Sequence, residues 1–532
     1  MTANTFFILL IFVALVGMTL IMETLRRIRN HRMLEYHMTH FTRYDTTESP
    51  HAVYDAYFRR ENETRKLSSN DAIIDDKTWS DLSMDLVFEQ LNFTYSAMGE
   101  NQLYSALRLQ HPLVHYEFLD QLEAHPNQHK TIVKRLIDIG KSIYPTYDHS
   151  IFENQYSWFH ILLTALPFIG VIACFFDLGK GLLWICFSLL INIVISFRFN
   201  YYVEKDLKQL FIMGRAVRET EILSKLSITP DFNHSLKPLS FISRFRFLLI
   251  NVETIPGYFV MLFKYMFLID IHLYTTLVRR FKGHYDTVLA CFRYIGELDS
   301  LLAIYQYRHH YDTTEPVIAD SVQFEGLTHP LIDDAVPNDF NFNQNILLTG
   351  SNASGKSTFM KAVALNLILA QAIRTVTADK FQFVPGIVKT TMANADDVTS
   401  GDSYFMAELK SLKRLFQQDS EGPLYYFIDE IFKGTNTTER VAASHAVLEY
   451  LNQSPQLRVI AATHDIELTD VLASQYANYH FNERVTDGEI VFDYQIKEGP
   501  ANTRNALELI RIMKFPNRIY TDAQKYVKQL ES

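Results

Sequence analysis

The chain has three cysteines in 532 residues, Cys174, Cys186 and Cys291, and they are scattered rather than clustered. This excludes a disulfide framework and a cysteine-based zinc site, and it suits a reducing compartment. Positive charge is also in short supply: 50 Lys and Arg stand against 60 Asp and Glu, a formal net charge of −10. Backbone-dominated nucleic-acid binding works through clustered Lys and Arg, so there is no global attraction and any such contact has to be local. Internal repeats and low-complexity tracts are absent. What the chain has instead is contrast, with a hydrophobic fraction of 48% gathered into long apolar runs between polar intervals. Its length allows several domains of ~100–200 residues.

Gly350, Ser351, Asn352, Ala353, Ser354, Gly355, Lys356, Ser357 and Thr358 fit the spacing G-x-x-x-x-G-K-[ST]. The two glycines let the backbone fold so that successive N–H groups and a helix N-terminus face phosphates. Lys356 is placed to reach the β and γ phosphates of a nucleoside triphosphate, and the Ser357 hydroxyl to ligate Mg²⁺. The flanks agree, since 345–348 reads as a buried strand entering the loop and 359–373 as a helix leaving it.

A second apolar run, 424–428, ends in Asp429 and Glu430. A parallel sheet delivers such carboxylates to the carboxyl edge of its strands, where Asp429 would hold Mg²⁺ through water and Glu430 would polarise the attacking water. Taken alone, an Asp-Glu pair is more often a solvated turn. A third run, 458–462, ends in Thr463, His464 and Asp465; a histidine there can sense a γ-phosphate, although most strand-end histidines are ordinary loop residues.

At this point the residues resemble the ATPase domain of the MutS family of DNA mismatch-repair proteins. Thr328, His329 and Pro330, then Val336, Pro337, Asn338 and Asp339, are similar to the family's H-P and V-P-N-D lead-in. The loop keeps Asn352, Gly355, Lys356, Ser357 and Thr358 of G-P-N-M-G-G-K-S-T and departs from it at Ser351, Ala353 and Ser354. The stretch 396–401 with Ser403, Phe405, Met406 and Glu408 resembles D-D-L-x-S-G-x-S-x-F-M-x-E; 429–438 resembles D-E-x-x-x-G-T-S-T; 462–464 resembles the A-T-H switch. Upstream, 91–94 with Ala97, Met98, Gly99, Leu103, Leu107 and Pro112 resembles the start of the family's core and lever, and Glu297, Leu298 and Asp299 the lever's return.

The resemblance implies ATP and Mg²⁺ as cofactors, with Lys356, Glu430 and His464 catalytic, 350–358 holding the nucleotide, and Ser357 and Asp429 holding the metal. It also implies a homodimer in which Ser403 serves the partner subunit's nucleotide, and mismatched or structured DNA as a partner. The family's mismatch-reading domain has no room before residue 80, and its C-terminal dimerisation helices are expected to be curtailed after Phe515 and Pro516.

Thr5 to Met22 is an uncharged apolar run followed at once by Arg26, Arg27, Arg29 and Arg32. Charge on that side reads as an uncleaved anchor with its basic flank cytoplasmic, not a secretory signal. Runs at 159–176 and 181–197, split by a short polar break, read as a helical hairpin without a polar face, followed by Arg198, Lys205 and Lys208. The alternative is a buried pair in a large soluble domain. This topology makes a multi-pass cell-membrane protein with its ATPase domain cytoplasmic. A fourth apolar stretch, 257–275, carries Lys264, Asp270 and His272 and reads as a packed helix of the soluble core. The basic intervals 244–246 and 279–282 interleave aromatics with charge, as a phosphate-and-stacking surface would, but more often such runs are a solvated helix face or a lipid-headgroup contact.

The expected fold is therefore an α/β P-loop ATPase domain with a doubly wound mixed sheet, preceded by an α-helical core and lever domain with three transmembrane helices. The boundaries expected are an anchor at 1–32, a linker at 33–80, helical core at 81–158, membrane hairpin at 159–197, core and lever at 198–318, and ATPase domain at 319–532. Two other functions fit the same pattern. Half of an ATP-driven transporter would need polar residues facing a pathway and an L-S-G-G-Q-like signature, neither of which is seen; a membrane clamp or signalling ATPase would act on a protein.

Overall fold

The computed structural model describes residues 24, 28, 32, 51–65, 73–110, 113–147, 149–152, 159–240, 261, 263–351, 354–392, 404–416, 422–432, 435–486, 489–501 and 515–530. The expected span at 5–22, the basic interval 244–246, Asn352, Ala353 and the segment 396–403 with Ser403 lie outside these residues.

Apart from short 3-10 turns, the described chain up to residue 310 is helical. It begins with α1 (His51–Arg65), α2 (Asp76–Asp81), α3 (Met84–Leu91), α4 (Ala97–Leu109), α5 (Glu117–Ala124) and α6 (Pro126–Ile139). Two apolar helices follow, α7 (Phe159–Cys174) and α8 (Leu178–Leu223), and then α9 (Ile269–Gly283) and α10 (Tyr285–His310). The chain forms two compact units: one gathers 1–60, 93–103 and 114–303, the other 61–92, 104–113 and 304–532.

In the helical unit the N-terminus of α4 is held by a residue far along the chain. The Asp299 carboxylate accepts from Tyr95 N at 2.9 Å, Ser96 N at 2.7 Å and Ser96 Oγ at 2.5 Å. The buried carboxylate thereby fixes the two residues that lead into α4, and Ser96 Oγ caps the helix by accepting from Gly99 N at 3.1 Å. Gly99 permits the approach, since a Cβ there would lie 2.3 Å from Asp299 Oδ2.

The apolar hairpin differs from its expectation in length and in polarity. Its second arm does not end at Phe197: α8 is a single helix of 46 residues, ~69 Å long at 1.5 Å per residue. Among the described residues it is the one helix long and apolar enough to cross a membrane. At 16 residues, α7 is apolar but shorter, so of the three expected spans one is matched in these terms. Nor is α8 without a polar face. Ser188, Asn192, Ser196 and Asn200 recur every four residues and so share one side, and the first three are 2%, 0% and 0% exposed. A linear hydropathy reading averages this stripe away. Of the stretch 257–275, the described part breaks at Phe267 and Leu268, the latter with φ 51°, before α9 begins.

The α/β unit continues with β1 (Val317–Ile318), β2 (Gln323–Leu327), β3 (Asn338–Asn341), β4 (Ile346–Thr349), α11 (Lys356–Ile373), β5 (Lys380–Phe383) and β6 (Ile387–Thr391). After these come α12 (Tyr404–Leu415), β7 (Leu424–Asp429), α13 (Thr437–Asn452), β8 (Leu457–Ala462), α14 (Glu467–Val471), the hairpin β9 (Ala477–Thr486) and β10 (Glu489–Glu498), and α15 (Asn517–Leu530). The main sheet runs β10-β9-β4-β8-β7-β6, parallel except for β10, and a smaller mixed sheet runs β1-β5-β2-β3. Strands β4, β7 and β8 are buried almost throughout. This is why they read as continuous apolar runs rather than alternating ones.

β6 is the outer strand of the main sheet, and residues that were expected to be linker cover its edge. Thr78 Oγ1 accepts from Thr390 N at 3.2 Å, and Asp81 Oδ2 accepts from Thr390 Oγ1 at 2.8 Å and Met392 N at 3.0 Å. Arg414 of α12 bonds Asp75 and the Thr390 carbonyl. An uncovered edge invites pairing with another chain, and side chains from α2 occupy its donors instead. The boundary expected at residue 80 therefore falls inside the compact unit that holds the sheet, and the stretch expected as one helical core at 81–158 is shared between the two units.

Candidate functional site

Strand β4 carries the chain to Gly350, where φ is 138° and a Cβ would lie 2.8 Å from the Phe481 carbonyl oxygen, so only glycine fits. Gly355, at φ 108°, stands at the start of α11. Lys356 lies at the first position of that helix, and its Nζ donates to the carbonyls of Gly350 at 2.7 Å and Ser351 at 2.8 Å. This buried ammonium thus sits inside the loop's own curve. Ser354 is buried, and its hydroxyl has no hydrogen-bond partner among the described residues.

The register of the parallel strands brings the other residues to the same edge, because β7 pairs Asp429 with Ala462 of β8, and β8 pairs Ala462 with Leu348 of β4. Ser357 Oγ donates to Asp429 Oδ2 at 2.7 Å. Asp429 Oδ1 is buried without a partner among the described residues. One hydroxyl and one carboxylate with a spare oxygen are the hard donors Mg²⁺ takes when phosphates and water complete its shell, so these residues fit the ion. Among the described residues no cluster of three or more His, Cys, Asp or Glu makes a self-sufficient metal cage.

Immediately after β7 the chain turns sharply, with Glu430 at φ 54° and Phe432 at φ 62° in the left-handed region. Such geometry is costly for side chains larger than glycine and is held by its surroundings. In this turn the Glu430 N–H donates to Ala462 O at 3.0 Å. The carboxylate then meets His464, whose Nε2 lies 2.6 Å from Glu430 Oε1. His464 is positioned by its neighbours: Asp465 accepts a two-point bond from Arg440 of α13, at 2.9 Å from Nε and 2.6 Å from Nη2, and Asp465 N donates to Thr463 Oγ1 at 3.0 Å. The hydrogen bonds to Asp465 also raise the pKa of Arg440, so the guanidinium stays charged.

These groups open on a cavity of about 570 Å³. Ser351, Gly355, Lys356, Ser357, Thr358 and Glu430 form one part of its wall. The rest of the wall is more apolar, with Leu327, His329, Ile332, Val336 and Tyr494. Burial pushes the His329 imidazole down to about 4, assisted by the charge of Lys361, so its ring is neutral at pH 7. Asn338 ties this wall to the β10 strand, donating to the Tyr494 carbonyl at 3.1 Å and accepting from Ile496 N at 2.8 Å.

The described part of the predicted loop, Lys356, Ser357, Asp429, Glu430 and His464 thus share one sheet edge. Among the contributors not singled out in the sequence as site residues are Arg440, Tyr494, Ile332 and Leu327. Arg440 could have been found by asking what pairs with Asp465 beside a switch histidine. Tyr494 has no such signal, because it reaches the loop through a strand irregularity between Phe492 and Ile496.

Residues 346–531 match the family model described as MutS domain V. The chain is similar to the DNA mismatch repair protein MutS of Staphylococcus epidermidis, 28% identical over 277 residues, which are 49% of this chain and 32% of that protein. The protein of the same name from Bacillus subtilis is 31% identical over 278 residues, 49% of this chain and 32% of the relative. That of Natronomonas pharaonis is 32% identical over 252 residues, 45% and 29% respectively. The chain spans about a third of the length of the curated relatives it matches.

Proposed function

Because the chain belongs to the MutS family through its matched C-terminal region, we propose that it binds and hydrolyses ATP at the cavity beside α11. The observation that carries this reading is the meeting of Lys356, the Ser357–Asp429 pair and the Glu430–His464 pair at one edge of the parallel strands. In this reading the 350–358 backbone and Lys356 bind the β and γ phosphates, and Ser357 and Asp429 hold Mg²⁺. Bound Mg²⁺ supplies charge neutralisation on the phosphates. The Glu430 carboxylate orients the attacking water and takes up its proton, and His464 holds that carboxylate in place through Oε1. The neutral His329 ring with Ile332, Val336 and Tyr494 offers an apolar, partly aromatic wall to a purine base.

The wider reading has further parts. Two copies act together, each lending Ser403 to the partner subunit's nucleotide. The relatives are named as DNA mismatch repair proteins, and mismatched or branched DNA is the substrate proposed for this chain as well. The α7–α8 hairpin is membrane-embedded, with the ATPase on the cytoplasmic side. Support comes from its outward face, where Phe168, Ile172, Leu183, Phe187, Leu190 and Val194 are exposed; contiguous apolar surface of this kind calls for a lipid or protein cover. The polar groups of α8 that face inward bond neighbouring backbone and side chains, which weighs against a transport pathway.

The test is the ATPase rate of the detergent-solubilised full chain with and without Lys356→Ala, alone and with homoduplex, mismatched and branched DNA at low and high salt. Removing a buried cation that faces phosphate is expected to weaken ATP binding by about 10²–10³-fold. Salt-sensitive stimulation by one DNA structure supports the DNA substrate. Lys356-dependent hydrolysis that ignores every DNA leaves the ATPase and points to a protein partner. Hydrolysis unaffected by Lys356→Ala rejects the site.

A further inference from the structure

The stripe on α8 is not spread evenly over its partners. Its two fully buried members in the middle, Asn192 and Ser196, both reach the point where the 263–268 segment breaks. Asn192 Nδ2 donates to Met266 O at 3.0 Å and to Leu163 O of α7 at 3.3 Å, and Ser196 Oγ donates to Tyr265 O at 3.2 Å. Farther along, Asn200 Nδ2 bonds Asp270 Oδ2 at 3.2 Å, Asp270 pairs with Lys264 at 3.2 Å, and Thr164 of α7 meets His272 Nε2 at 2.8 Å. The side of the segment turned away from α8 is apolar. Phe263 is 56% exposed and Met261 39%. The Phe263 and Phe267 rings lie 4.9 Å apart, and the Phe267 ring lies 6.2 Å from that of Phe168, itself 56% exposed on α7.

We propose that residues 263–268 form a re-entrant element lying in the same leaflet as the base of the α7–α8 hairpin, with its outer face against lipid acyl chains. The inference rests on the reading of that hairpin as membrane-embedded. A helix break frees carbonyl groups; on a water-facing surface solvent satisfies them, whereas at membrane depth protein donors have to do so. Asn192 is such a donor for Met266 O, and Ser196 adds a second bond to Tyr265 O, which also accepts from Leu268 N at 3.3 Å; both donors sit in a helix whose outward residues are apolar. Depth agrees. Counted from Leu178 at the hairpin tip, Asn192 lies ~21 Å and Ser196 ~27 Å along the axis, inside a hydrocarbon layer of ~30 Å, and Asn200 lies at ~33 Å, beyond it. The charged pair Lys264–Asp270 is bonded by Asn200 and so sits at the headgroup level, next to Arg198 where α8 leaves the layer. The broken carbonyls fall just inside, and the aromatic surface of Phe168, Phe267 and Phe263 continues the hairpin's own lipid-facing side.

The experiment uses the full chain in phosphatidylcholine–phosphatidylglycerol vesicles, with Cys174, Cys186 and Cys291 replaced by alanine and one NBD-labelled cysteine at Phe263→Cys or at Leu190→Cys. Both labels are expected to lose most of their fluorescence to acyl-brominated lipid and little to aqueous iodide. A Leu190→Cys label quenched by bromolipid beside a Phe263→Cys label quenched by iodide leaves the hairpin in the membrane and overturns the re-entrant element. If neither label responds to bromolipid, the membrane reading falls and the inference with it. In the Asn192→Leu, Ser196→Ala background the Phe263→Cys label is expected to become accessible to iodide while the Leu190→Cys label does not change. A Phe263→Cys label that remains shielded in that background overturns the role given to the two donors.

Discussion

Asp299 in the helical unit and Asp429 in the α/β unit are both carboxylates set among buried side chains, but their oxygens are used differently. Asp299 accepts from Tyr95 N, Ser96 N and Ser96 Oγ, and both of its oxygens are engaged. Nearby, Glu100 pairs with Lys141 and accepts from Tyr54 and Tyr144. Among the described residues, Asp429 accepts from Ser357 and keeps Oδ1 without a partner, and Ser354 Oγ, two residues from Lys356, is in the same state. An unsatisfied buried polar atom costs ~1–3 kcal/mol. Where both oxygens are engaged, burial yields a fixed joint between distant segments. Where valence is left open beside a cavity, it yields a place for a ligand, and the cost is offset when the ligand binds.

That contrast can be broken by substitution. The largest effect is expected from Glu430→Gln, which keeps the shape but removes the base: hydrolysis should fall about 10²–10⁴-fold while ATP binding persists. Equal steady-state rates for this variant and the parent would remove Glu430 from its role. Next is Asp299→Ala, which strands two backbone donors and should lower the unfolding free energy by ~3 kcal/mol, with the ATP dissociation constant unaltered. Chemical denaturation followed by nucleotide titration checks both halves, and a weakened ATP affinity would show that the joint is not purely structural. Asp465→Asn loosens the two-point bond to Arg440 and should cost about tenfold in hydrolysis, with a smaller change in affinity; an unchanged rate would mean that His464 holds Glu430 without that support.

The smallest effect expected is that of pH, and it should act on the two units in opposite directions. Burial pushes Asp299 up to about 6 against an ordinary 3.8. Its fold therefore favours the protonated form, and the associated stability is present below pH 4 and lost as pH rises through 6. Burial lowers His329 from 6.5 to about 4. Its fold favours the neutral ring, so stability is lost as pH falls from 6.5 toward 4. Hydrogen exchange between pH 7 and pH 4 should show protection rising around Tyr95 and Ser96 while it falls around His329. Asp299→Asn and His329→Ala should each flatten one of these trends, and parallel trends in both units would contradict the assignment.

Much of the site was legible along the chain. The loop from Gly350 to Thr358 is local: a turn of backbone donors around phosphate needs fixed spacing, and spacing is what a sequence displays. The strands β4, β7 and β8 were legible because burial on both faces requires unbroken apolar runs. The helical stretch 76–81 and the polar stripe of α8 were not. A short polar helix does not differ from a linker until its partner strand is known, and four small polar residues in a long apolar run vanish from any average over a window.

By itself, then, the sequence determined the glycine-bounded loop at 350–358, the acidic strand end and the likeness to MutS domain V, since each depends on spacing over a few residues or on composition of a single element. Only the tertiary structure decided which groups meet. Ser357 finds Asp429 72 positions away, and Thr390 N finds Thr78 312 positions away. The physical reason is that such contacts follow from strand order and helix packing. They are set by the burial of whole faces, and local propensity along the chain carries no term for them.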